Sequence, residues 1–109
     1  MKVIILPEVQ EYLDSLVPIL YEKEYFGFVE SAIRYVDELI ADINTGIHNR
    51  PHKPAPVHFD KYGEDMDYAV FSRNKNTSWY VFFTSYEVEN ELIYLIRRIE
   101  NNHTVAQHL

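Results

Sequence analysis

Residues 67–99, DYAVFSRNKNTSWYVFFTSYEVENELIYLIRRI, decide the fold. Three apolar and aromatic runs are separated by turn chemistry. Residues 67–73 predict a first strand. Asn74-Lys75-Asn76 is a turn, since Asn tolerates positive φ. Residues 78–84 (SWYVFFT) are apolar enough for a central strand buried on both faces. Residues 85–90 read as a polar turn, and residues 91–99 (ELIYLIRRI) as a third strand. Alternation puts Trp79, Val81 and Phe83 on one face and Tyr80, Phe82 and Thr84 on the other. One set is core. The other is partner-covered surface or a base-stacking platform.

Outward from these strands, the N-terminal half is helical. Residues 2–6 predict a short strand ended by Pro7, which suits the first turn of a helix. Glu8 follows at the positive end of the helix dipole. Val9, Leu13, Leu16, Val17 and Leu20 keep helical spacing, and Pro18 predicts a kink or an early end. A second helix runs from around residues 26–28 to about Asn44, with Gly46 placed for a left-handed cap. Residues 46–57 (GIHNRPHKPAPV) predict one long irregular loop. Asn102 caps a short last helix over residues 103–108. The expected order is β-α-α-β-β-β. This is an α+β class, with a helical hairpin packed on one face of a small antiparallel sheet in a single domain, residues 1–109.

Composition bounds the function. The 109 residues are 47% hydrophobic and 15% aromatic, which excludes a disordered chain. No apolar run is long enough for a membrane helix, and residues 1–7 are too short a run for a signal peptide. With no Cys there are no disulfides or thiolate metal sites, and a cytoplasmic location is expected. The net charge of −7 predicts no general attraction to nucleic acid. The charge is uneven, however. The helical half is acidic, while Arg50, Lys53 and Lys61 with His48, His52 and His58 make the central segment basic. His48 and His52 have metal-ligand spacing for a helix, but Pro51 lies between them, so no metal is expected there. Nine Tyr suit a surface covered by a partner.

The layout resembles the RelE/ParE superfamily of bacterial toxins. The marks are the opening strand running into PEVQEYLDSL, the second amphipathic helix, then DYAVFSRNKNTSWYVFF and LIYLIRRIENNH. The resemblance covers nearly the whole chain. It implies a RelE/ParE-like fold and the toxin of a type II toxin–antitoxin pair, acting as a ribosome-dependent mRNA endoribonuclease without a cofactor. The alternatives are a non-enzymatic, ParE-like inhibitor of DNA gyrase, or an inert relative that only binds its antitoxin. A cognate antitoxin is the implied partner, and a homodimer is left open.

RNA cleavage without a metal needs a base for the 2′-OH, an acid for the leaving 5′ oxygen, and cations for the phosphorane. In the family's nuclease branch, an Arg on the last strand contacts phosphate and an aromatic or His soon after takes part in catalysis. Arg97 and His103 fit that spacing, with Arg73 as a further phosphate ligand. Arg50, Lys53, Lys61 and Arg98 are the expected substrate-binding residues. The alternative for Arg97, Arg98 and His103 is a strand end with solvated charges and a helix cap. Being adjacent on a strand, Arg97 and Arg98 are expected on opposite faces. The sequence departs from the nuclease branch at Tyr68-Ala69-Val70, where that branch has an Arg after the Tyr. Arg73 shares the face of Ala69 but lies about 13 Å along the strand.

Overall fold

A computed structural model describes residues 1–22 and 27–105. Val3 and Ile5 alternate inward on the first strand, β1 (Lys2–Ile5), and Pro7 then opens helix α1 (Pro7–Glu22). Pro18 does not end this helix. The ring lies on the exposed side, while Val17 and Leu20 pack against the core on either side of it. That packing outweighs the lost backbone bond, which costs about 3 kcal/mol in isolation. The second helix, α2 (Val29–Gly46), starts after an extended Phe28. Residue 26, where an earlier start was expected, lies outside the described residues. Gly46 is no left-handed cap. Its φ is −106°, and the chain tightens directly into a 3-10 turn, Ile47–Asn49, anchored by fully buried Ile47.

The expected long loop is more ordered than its prolines predict. Lys53–Pro54 forms a two-residue edge strand, β2, where the missing N–H of Pro54 is tolerated. A second 3-10 turn, Val57–Tyr62, follows and plants Phe59 on the sheet. Then come β3 (Asp67–Asn74), β4 (Thr77–Val88) and β5 (Glu91–Asn101), and a short helix α3 (Asn102–Val105). The rest of the expected last helix is outside the described residues. Residues 85–90 are not a long turn. Both strands run on to a tight connection in which Glu89 and Asn90 take φ of 50° and 67°.

The five strands form one sheet in the order β1-β5-β4-β3-β2. It is mixed rather than antiparallel, because β1 runs parallel to β5, pairing Lys2 with Ile93 through Ile5 with Ile96. Both helices cover one face. Leu13, Leu16, Leu39 and Ile43 meet Phe71, Val81, Phe83 and Ile96 there. Trp79 joins this side and donates its indole N–H to the Tyr35 hydroxyl at 2.9 Å. On the opposite face Phe59 stacks on Phe82, with ring centroids 4.3 Å apart. β4 is thus central and buried on both faces. No helix among the described residues is long and apolar enough to cross a membrane.

Phe83 is fully buried under the helices, with His52 and Tyr94 edge-on to its ring. Phe83→Ala should lower unfolding stability by about 3–5 kcal/mol, read as a drop in urea midpoint at unchanged slope. A loss under 1 kcal/mol would contradict this packing.

Candidate functional site

The site begins with one extra residue. In β5, Ile96 pairs with Phe83 and Arg98 pairs with Phe82, which leaves Arg97 bulged between them. A bulge breaks the alternation of faces. Ile96 and Ile99 both join the core beneath the helices, and Arg97 and Arg98 both line one cleft. The expectation of opposite faces is therefore corrected.

The cleft encloses about 220 Å³ and is lined by Glu8, Val9, Tyr12, Lys61, Tyr62, Arg97, Arg98 and Ile99. It lies where β1 stops opposite Ile96, between the start of α1 and the second 3-10 turn. Arg97 is held in a defined pose. Its Nε donates to Thr84 Oγ1 at 2.9 Å and its Nη2 to the Tyr86 hydroxyl at 3.1 Å. Its aliphatic stem crosses Gly63, where a Cβ would lie 2.6 Å from Arg97 Cδ. Gly is required by that close approach.

Arg98 lies 4.6 Å from the Tyr62 ring centroid and 5.9 Å from that of Tyr12. Its ion pair to Glu100 is long, at 3.6 Å. Its Nε is buried with no hydrogen-bond partner among the described residues. Lys61 sits 5.3 Å from the Tyr62 ring and is exposed. Burial raises the Tyr12 phenol above its ordinary pKa, the Arg98 charge draws it back, and Glu100 pushes it up. Three cations thus face a space with one lining carboxylate, Glu8. The arrangement can take a phosphate, with planar guanidinium donors and a lysine charge.

The other residues singled out from sequence lie elsewhere. Arg73 reaches α2, donating to Asp42 and, at 3.2 Å, to Glu38, and its side chain is only 14% exposed. Ala69 is buried on the same helix-covered face, so position 69 does not open onto the cleft. Arg50 folds over the Phe71 ring at 4.1 Å. Lys53 is exposed on β2, across from Tyr68. His103 follows the end of β5 on α3. Its backbone N–H donates to Asn101 Oδ1, and it does not line the cleft. The histidines are not simply solvated. His48 Nδ1 lies 2.7 Å from the Tyr94 hydroxyl, whose pKa burial raises, and His52 Nε2 donates to the Ile47 carbonyl at 2.7 Å. No cluster of metal-ligating side chains exists among the described residues.

The sequence reading missed Glu8, Tyr12, Tyr62, Gly63, Thr84 and Tyr86 as parts of this site. The bulge had one signal. Apolar residues at Leu92, Tyr94 and Ile96 keep a period of two, and the next falls at Ile99, three residues on. Compared with known protein families, with curated proteins and with solved structures, the chain finds no match.

Two changes test this geometry. Arg98→Ala removes a charge that lowers the Tyr12 pKa, so Tyr12 should titrate at still higher pH, as followed by NMR of labelled tyrosine. An unchanged or lower midpoint would contradict the pairing. Gly63→Ala should push Arg97 off Thr84. Its hydrogen-bonded Nε–H resonance should shift or exchange faster, while the remaining amide spectrum stays folded.

Proposed function

We propose that the chain is a RelE/ParE-type toxin that acts on mRNA in the cytoplasm and is held in check by a cognate antitoxin. The observation that carries this reading is the cleft formed by Arg97, Arg98 and Lys61. Paired guanidinium groups match the non-bridging oxygens of a phosphodiester, and the pose of Arg97 is set before any ligand arrives. The net charge of −7 makes recognition local, with the cleft rather than the whole molecular field attracting the chain of phosphates.

The chemistry follows from the residues around that cleft. The Glu8 carboxylate takes the 2′-OH proton, and the 2′ oxygen attacks phosphorus. The bond to the 5′ oxygen breaks, that oxygen takes a proton from the Tyr12 phenol, and a 2′,3′-cyclic phosphate remains. Arg97, Arg98 and Lys61 balance the charge that accumulates on the phosphorane. Arg73 is held by Glu38 and Asp42, so it stabilises the β3–α2 contact instead. His103 is outside the cleft and takes no part in proton transfer.

A second reading, a ParE-like inhibitor of DNA gyrase, is favoured by the sequestered Arg73 and by the buried Ala69 where the nuclease branch carries Arg.

The test is induced expression in a bacterial host with primer extension on a long transcript. Wild type should arrest growth and produce new transcript ends. Arg97→Ala and Arg98→Ala should each reduce cleavage roughly 100-fold, the usual loss for one transition-state donor. His103→Ala should cleave like wild type. Arrest with intact transcripts would overturn the nuclease reading in favour of a protein target such as gyrase. Loss of cleavage in His103→Ala alone would overturn the placement of the site in this cleft.

A further inference from the structure

Cross-strand partners in a sheet share a face. The pairings Lys53–Tyr68, Tyr68–Phe82 and Phe82–Arg98 therefore set four side chains in one row across the open face, from the edge strand β2 to β5. Neighbouring strands lie about 4.8 Å apart, so the row spans about 14 Å. A cation stands at each end and aromatic rings lie between. Tyr80, opposite Val70 and Glu100, lies beside the row, its ring centroid 5.8 Å from that of Tyr68. The second 3-10 turn reaches the middle of the row, where Phe59 stacks on Phe82. From the same turn Tyr62 meets Arg98 on the cleft side, while Tyr68 and Tyr80 pack half-buried against Phe59 and Phe82.

We propose that Tyr68 and Tyr80 stack the bases of single-stranded RNA whose phosphates run from the cleft to Lys53. This rests on the RNA reading of the cleft and extends it from the phosphates to the bases. Rings interleaved with cations are what an unpaired strand needs, because each nucleotide offers one flat base and one negative charge. Paired bases stay stacked inside a duplex and do not reach such rings. The row already holds one ring at stacking distance, that of Phe59. Tyr68 and Tyr80 are pinned by their packing, so little side-chain freedom is lost when a base arrives. Lys53 is exposed and has no ion-pair partner among the described residues, which leaves its charge for a phosphate. Glu100 is the carboxylate that the register sets beside Tyr80. It pairs with Arg98 and its side chain is only 16% exposed, so it opposes the strand weakly. Stacking reads no hydrogen-bond pattern, and the row accepts any base.

The test is fluorescence anisotropy on the full chain with two labelled probes. One is a short 2′-O-methyl oligoadenylate, which has no free 2′-OH and stays intact. The other is an abasic strand of the same backbone and length, which reports the cations alone. Wild type should bind the oligoadenylate more tightly. Tyr68→Leu and Tyr80→Leu keep an apolar side chain against Phe82. Each should weaken oligoadenylate binding by at least roughly fivefold and leave abasic binding unchanged, which also shows the fold intact. Tyr68→Phe and Tyr80→Phe should bind like wild type. Lys53→Ala should lower the salt slope of binding by about 0.7 for both probes. Arg98→Ala should weaken both probes. A wild type that binds both probes equally overturns the stacking row, leaves the cleft reading standing and gives Tyr68 and Tyr80 to a protein partner. Insensitivity to both leucine changes overturns it in the same way. Binding of neither probe overturns the cleft reading and this inference together.

Discussion

The pairing of β5 with β4 carries one residue more on β5 than on β4, and the arrangement of the cleft depends on that mismatch. Without it, strict alternation would send Arg98 toward the helices and Ile99 outward. A guanidinium would then be forced into a core where no described polar residue is buried. Burying such a charge without a full set of partners costs several kcal/mol. Inserting Arg97 as an unpaired residue shifts the phase by one. Ile99 returns to the core, and both Arg side chains emerge on the side of Tyr62. The strand gives up one regular pairing and gains a well-packed isoleucine and two outward cations.

The same economy governs the other basic residues. The chain has ten Lys and Arg against seventeen Asp and Glu, so acidic partners are plentiful. Arg73 is taken up by two carboxylates of α2 and also lies over the Tyr35 ring at 5.3 Å. Arg50 lies flat on Phe71. These two cations fasten β3 and the segment after α2 to the helix-covered face. Arg97 and Arg98 sit where the nearest partners are mostly hydroxyls and rings, with Glu100 only at a distance of 3.6 Å. A cation whose contacts are mainly neutral keeps more of its field for an incoming anion. Positive charge in an acidic protein is concentrated in this way by local geometry, against the sign of the overall charge.

How far the sequence discloses this differs by level. The three long strands, the two amphipathic helices and the proline that follows β1 and opens α1 follow from periodicity and punctuation. The parallel pairing of β1 was not legible, since a four-residue apolar strand carries no mark of its direction. The second 3-10 turn was hidden by three prolines nearby, and long-range contacts such as that of Phe59 with Phe82 hold it on the sheet. Pro18 misleads because local propensity speaks for the isolated helix, whereas Val17 and Leu20 hold the turn through tertiary contacts. At the site, Arg97, Arg98 and Lys61 were visible as chemistry, but their meeting was not. It requires the bulge, the end of β1 and the Gly63 crossing together. Gly63 in particular reads as ordinary turn chemistry until the stem of Arg97 is seen against it.

Arg97 stands at the border of two surfaces. On one side is the cleft with Arg98 and Lys61. On the other is the open face of the sheet, which Arg97 reaches through Thr84 and Tyr86. Its two hydrogen bonds leave donors unspent, because a guanidinium carries five N–H groups. An anion that reaches Arg97 meets donors already aimed by a bulge, a threonine, a tyrosine and a glycine, so setting the pose needs no moving part.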